Sequence, residues 1–351
     1  MQQDEMKSLT TVLCCGNRME MFQTEIIIFI QSFASDFLTA FFKFFTLIGQ
    51  STYAAPLVLI VIFGISFRKG FILLHVVSWN GLLTFYLKEF FSLPRPLNVD
   101  FHVKLLEEAH HNATPLESMG AKKFFGGFSK GTLEFIRIYP FDSWGFPSGH
   151  ASHSVALWGS LSLFMKKKWL YFTAGMMIVF ISLSRMYLGR HFLADILGGL
   201  GLGFLVTLVF YHGFYNNNSL KKYLFKKQEK TQFSVSAMIF LFYFLVVPFL
   251  VLLIPGIRIE MAAALLGINL GYIWIRHRGI PKDKGNILQR SARVLIAGSV
   301  FFLFYAGLKE GSGLVFTREP TFFEFIRLVF SMLISFWGSV ELCIKLKLYE
   351  R

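Results

Sequence analysis

Residues 169–210 read WLYFTAGMMIVFISLSRMYLGRHFLADILGGLGLGFLVTLVF. The run from Trp169 to Leu183 and the run from Ile196 to Phe210 are each apolar for most of the length of a membrane helix. Between them, Ser184–Asp195 holds Arg185, Arg190, His191 and Asp195. Charge at that depth is costly to place near lipid, so its presence points to a function rather than to a spacer.

The rest of the chain fits a membrane protein. Of its 351 residues 54% are hydrophobic, and the mean hydropathy of +0.54 is too high for a chain with an ordinary polar surface. The net charge of +14 raises nucleic acid as a partner. The positions of the charges argue against it, because Lys and Arg sit in short clusters between apolar runs. Cys14, Cys15 and Cys343 have neither metal-ligand nor disulfide-framework spacing. The polar start, with no small-residue cleavage site after an early apolar run, does not resemble a cleaved signal peptide.

Spans are expected at about 52–67, 71–91, 148–165, 169–185, 192–212, 233–255, 260–276, 293–308 and 322–345. The fold class is therefore all-α: a polytopic helical bundle of about nine spans. Loop charge supports the register. Arg68/Lys69, Lys166/Lys167/Lys168, Lys221/Lys222/Lys226/Lys227/Lys230, the basic residues of 276–293 and Lys345/Lys347/Arg351 all fall on one side. The positive-inside rule makes that side, and the C-terminus, cytoplasmic. The loop 92–147, segment 186–191 and the short loops near 256–259 and 309–321 then face outward, toward a periplasm or lumen. In a bacterium the membrane would be the inner one.

Residues 25–49 are long enough to span. However, Ser32, Ser35, Asp36, Thr39, Lys43 and Thr46 draw a polar stripe along one helical face, which suits a helix lying in the interface. The chain divides into 1–50 (polar segment and interfacial helix), 51–212 (core with the outer loop 92–147) and 213–351 (a four-span extension). The outer loop is made flexible by Gly126, Gly127 and Gly131. Asn112-Ala113-Thr114 within it has the form of a glycosylation acceptor.

Three clusters fall on the outer side. In the first, Lys88 and Arg95 are seven apart and share a face of a continuing helix, and Pro94 and Pro96 end that helix near the surface. Snorkelling to the interface would explain both cations. In the second, Gly145-Phe146-Pro147-Ser148-Gly149-His150 opens a span, with free backbone N–H groups suited to an anion. An ordinary helix cap would explain this as well. His150 and His153 would serve as a metal pair, but no third ligand has suggestive spacing. In the third, His191 and Asp195 are four apart, so the carboxylate can hold one ring nitrogen while the other attacks. Taken together, Lys88, Arg95, Arg185, His150, His191 and Asp195 describe a phosphate site, and the second histidine exceeds what binding alone requires.

The order Lys-x6-Arg-Pro, Pro-Ser-Gly-His, Ser-Arg-x5-His-x3-Asp resembles the signature of the type 2 phosphatidic acid phosphatase superfamily. The resemblance covers roughly residues 25–212, and the four later spans are similar to the longer layout of sphingosine-1-phosphate phosphatases and glucose-6-phosphatase. It implies a phosphohistidine mechanism without metal or other cofactor. His191 would be the nucleophile, Asp195 would hold its tautomer, and His150 would be acid and then base. Lys88, Arg95, Arg185, Ser148 and the Gly149 N–H would bind the phosphate. The expected substrate is a lipid phosphate monoester or diphosphate entering from the membrane, past Phe90, Phe91, Phe141, Trp144 and Phe146. A sugar-phosphate phosphatase, a phosphotransferase, and a non-enzymatic transporter or scaffold are the alternatives.

Overall fold

A computed structural model describes residues 22–107, 119, 128–138, 143–225, 235–252, 259–315 and 321–351. Among them every regular element is helical, and there is no strand. Cys14, Cys15, Asn112–Thr114, Gly126, Gly127, Phe141, Lys226, Lys227 and Lys230 lie outside the described residues.

A helical segment stands at each expected span. Among the described residues, six helical stretches are long and apolar enough to cross a membrane: Phe67–Val99, Lys168–Tyr187, Leu193–Tyr215, Ile259–Arg278, Ile287–Phe304 and Phe323–Lys345. The count is seven if Asp36–Ile48 and Thr52–Ile65 form one broken span. The expected count of nine is thus not reached on length and composition. Segment 149–165 falls short because it carries His150, His153 and several serines, and because it is built from Gly149–Ser154, a π-helical turn at Val155–Gly159 and Ser160–Met165. Most of its residues are buried, so it is shielded by protein rather than by lipid.

Residues 25–49 form two helices rather than one, Glu25–Ser32 and Asp36–Ile48. Ser35 caps the second by accepting from the Leu38 N–H at 3.3 Å. The polar stripe divides between two environments. Ser32, Ser35, Asp36 and Lys43 are exposed. Thr39 instead shares a hydrogen bond with the Tyr187 hydroxyl at 2.9 Å, and Thr46 shares one with Ser184 at 3.1 Å.

The chain resolves into two compact units, 1–51 with 83–207 and 52–82 with 208–351. In the first unit, Phe22, Ile27, Val99, Val103, Phe192 and Ala194 form a buried cluster, with Phe22 set edge-on to Phe192 at 5.2 Å. A second cluster, Ala151, Met186 and Ile196, joins the helices that carry the candidate site residues. Helix Leu193–Phe210 meets segment 149–165 almost backbone to backbone. A Cβ at Gly199 would lie 2.5 Å from the Ser148 carbonyl oxygen, and one at Gly203 would lie 2.4 Å from that of Ser152. Small residues four apart on one helical face permit this approach.

The second unit is an aromatic and small-residue core. Phe71 stacks on Tyr272 at 3.8 Å, and Phe67, Phe244 and Phe336 surround the pair. Ala262, Ala263, Leu265 and Leu266 pack with Phe325 and Val329. Several loop charges are structural here. Asp283 accepts from the Ser66 hydroxyl at 2.7 Å and the Phe67 N–H at 2.8 Å, and Arg293 donates to the Leu348 carbonyl at 2.9 Å.

Candidate active site

All eight candidate residues belong to the first unit. His191 lies between helices Lys168–Tyr187 and Leu193–Phe210. The turn into it passes through Gly189 at φ +77°, where an L side chain is strained and where a Cβ would strike the Lys104 carbonyl. Asp195 is the third residue of the following helix. Its Oδ2 accepts from the Phe192 N–H at 2.9 Å and faces His191 Nδ1 at 3.1 Å. One carboxylate oxygen thus caps the helix and holds the ring. With the proton on Nδ1, the Nε2 lone pair is left for chemistry. Burial, and then the charges of Lys88, Arg95 and Arg185 together with His150, hold the His191 ring well below the usual imidazole range. The ring is therefore neutral at pH 7.

Ser148 precedes helix Gly149–Ser154 without capping it by its side chain, so the ordinary-cap explanation does not account for its hydroxyl. The Ser148 N–H donates to the Asp195 carbonyl at 2.8 Å, which ties the second cluster to the third. Its Oγ and His150 Nε2 are both buried with no hydrogen-bond partner. Buried polar atoms left unpaired mark a strained or functional site. Among the described residues no group of three His, Cys, Asp or Glu is placed to hold a metal ion around His150 and His153.

The first cluster departs from its expected geometry. The helix closes at Phe91, Ser92 takes φ 46°, and residues 92–95 have no helical structure. Pro94 disfavours helix in the residue before it, so Lys88 and Arg95 do not share a helical face. They meet through the chain segment 143–145 instead. Lys88 Nζ donates to the carbonyls of Trp144 at 2.5 Å and Gly145 at 3.1 Å, and Arg95 donates to the carbonyl and hydroxyl of Ser143 at 3.1 and 2.9 Å. Gly145 N–H closes the strap on the Leu93 carbonyl at 2.7 Å. At this edge Phe91 and Phe146 meet edge-to-face at 5.1 Å, and Phe90 is 66% exposed.

Arg185 is buried at the end of helix Lys168–Tyr187. Its Nη1 donates to Thr46 at 2.5 Å and to Glu107 at 2.8 Å, and Nε is buried without a partner. Glu107 also accepts from Arg190 Nε at 2.7 Å. Burial pushes its carboxyl up, but the two arginines outweigh this and hold it below the ordinary range. Glu107 and the interfacial Thr46 escape sequence reasoning. A lone Glu in a long loop and a Thr in a polar stripe carry no motif.

These motifs have counterparts elsewhere. Residues 69–219 match the model of the PAP2 superfamily, and residues 259–351 match that of the PAP2 superfamily phosphatase transmembrane extension. The chain belongs to the PAP2 superfamily. It is a membrane-embedded phosphatase of that superfamily. It is 28% identical over 170 residues to phosphatidylglycerophosphatase B of Bacillus subtilis (strain 168), which covers 46% of this chain and 68% of that one. No solved structure matches it. The superfamily model ends beyond helix Leu193–Phe210, so it contains every candidate residue.

Proposed function

We propose that the protein hydrolyses a lipid phosphate at the outer face of the membrane through a phosphohistidine. The observation that carries this reading is the His191–Asp195 pair: a neutral ring, buried and held by a carboxylate, beside three cations. His191 Nε2 attacks phosphorus in line and displaces the lipid oxygen, which takes a proton from His150. His150 then draws a proton from water as that water attacks the phosphohistidine, releasing phosphate and restoring both rings. Lys88, Arg95 and Arg185 offset the charge that builds on the equatorial oxygens, and Ser148 Oγ and the Gly149 N–H donate to them. These donors do the work that magnesium does elsewhere, so EDTA should leave the rate unchanged.

A lipid substrate is supported by the relative's name, by the embedding of the site in a membrane chain and by the aromatic edge at Phe91 and Phe146. We place the core at 51–212 and treat 213–351 as an extension, with the site outward and the C-terminus cytoplasmic on loop charge. The test is phosphate release from phosphatidylglycerophosphate, phosphatidic acid, sphingosine 1-phosphate, undecaprenyl diphosphate and glucose 6-phosphate. His191→Ala should lower turnover on the preferred lipid by at least about 10³-fold. Near-normal turnover in that variant would remove His191 as nucleophile. His150→Ala should accumulate labelled phosphoenzyme from a substrate with a good leaving group.

A further inference from the structure

Glu107 lies among the cations of the site, where an anion other than substrate needs a reason. It is held there deliberately. Thr24 donates to Asp100 at 2.7 Å, and Gln31 clasps Lys104 through both its backbone N–H and its carbonyl at 2.9 and 2.7 Å. Gln31 also donates to the Tyr187 carbonyl at 3.0 Å. Asp100 and Lys104 are thereby tied to residues 24–31, and Lys104 is tied through Gln31 to the end of the helix that carries Arg185.

The consequence for Arg185 is specific. Both protons of Nη1 are engaged, one by Thr46 and one by Glu107. Thr46 in turn donates to Ser184, whose own proton goes to the Ile181 carbonyl, so the chain of donors is fixed in direction. What remains on the guanidinium is the Nε–Nη2 edge, the pair of parallel donors that matches a phosphoryl group bidentately. Nε is buried and unpartnered. Glu107 therefore need not leave for a phosphoryl group to bind Arg185. Its other oxygen engages Arg190, the next cation along the chain.

We propose that Glu107 is a specificity-determining residue: it occupies the place a second phosphoryl group would take between Arg185 and Arg190, and so restricts the site to phosphomonoesters over diphosphates. This rests on the reading of the site as a phosphate site. A diphosphate would bring its second phosphoryl group beside a carboxylate that is already charged, and like charges in contact cost affinity.

The test is isothermal titration of the purified full-length protein in detergent with inorganic phosphate and with pyrophosphate. The wild type should bind phosphate, and pyrophosphate no tighter. Glu107→Gln, with its melting temperature checked, should raise the preference for pyrophosphate over phosphate by at least about tenfold. Adding Arg190→Gln should cancel that gain, which a merely structural role for Glu107 would not produce. Arg190→Gln alone keeps the carboxylate and removes a cation, so it should weaken pyrophosphate more than phosphate. The kcat/KM ratio of undecaprenyl diphosphate to phosphatidic acid should follow the same order. An unchanged anion ratio in folded Glu107→Gln overturns the proposal. So does a wild type that binds pyrophosphate more than about tenfold tighter than phosphate, a result that needs no variant. A wild type that binds neither anion removes the phosphate site itself, a separate failure.

Discussion

At the residue scale, Asp195 does two jobs with one atom. Its Oδ2 caps the helix through the Phe192 N–H and holds the His191 ring. The effect of its loss should therefore divide. Asp195→Asn should leave the fold close to intact but lower kcat by about 10²–10⁴-fold, because the amide no longer enforces the tautomer. A melting curve beside a rate measurement separates the two effects. The state of His191 sets the pH response. Because burial and the neighbouring cations hold the ring below its ordinary value, it is neutral at pH 7 and gains a proton only under more acid conditions. As pH falls through that lowered value, the neutral ring that the proposed phosphohistidine route requires is lost. The acid limb of the kcat/KM profile due to His191 is expected on the acid side of the ordinary imidazole midpoint rather than at it. An acid limb centred above pH 6.5 that disappears on removal of Lys88 would contradict this.

At the element scale, the pairing of helix Leu193–Phe210 with segment 149–165 sets the distance between the two histidine clusters. Gly199 and Gly203 let the backbones touch at the Ser148 and Ser152 carbonyls. Gly203→Leu forces the two apart. Overpacking of this kind costs about 1–3 kcal/mol, and here it also moves His150 relative to His191. With a substrate whose good leaving group needs no proton, dephosphorylation of the enzyme should slow more than its phosphorylation, which rapid-quench kinetics would read. Equal slowing of both steps would mean that the pairing acts through stability alone. The spacing of Lys88 and Arg95 teaches a related lesson. Seven residues suggest one helical face, yet Pro94 ends the helix first, and residues 143–145 gather the two side chains instead.

At the scale of the whole molecule, the unit that contains 208–351 also contains 52–82. Phe67 and Phe71 pack on Tyr272 and Phe336, Ser66 and Phe67 bind Asp283, and the Tyr349 hydroxyl reaches the carbonyls of Ile62 and Phe63. Removal of 259–351 strips those partners from a segment that leads straight into the Lys88 helix. The shortened protein should fail to accumulate in membranes, or melt at least about 10 °C lower than the full chain. An equally stable, active truncation would show that the extension is dispensable to the core.

What the sequence determined by itself was the membrane class, the helical content and the identities of the ionisable residues. Apolar run length and motif spacing are local quantities, and they survive without knowledge of neighbours. His191 and Asp195 were legible for that reason, being four apart on one chain. Only the tertiary structure decided who meets whom across long separations. It broke residues 25–49 into two helices and turned part of their polar stripe toward Tyr187, Ser184 and Arg185. It also set Glu107 between Arg185 and Arg190, which gave a partner to Arg190, the arginine of the Ser184–Asp195 stretch that lies outside the motif. A carboxylate 78 residues from its arginine leaves no periodic trace. Its role exists only once Gln31 and Asp100 have pinned the loop that carries it. The same holds for Arg95 and Ser143, 48 residues apart and joined because two prolines and a glycine let two loops close on each other.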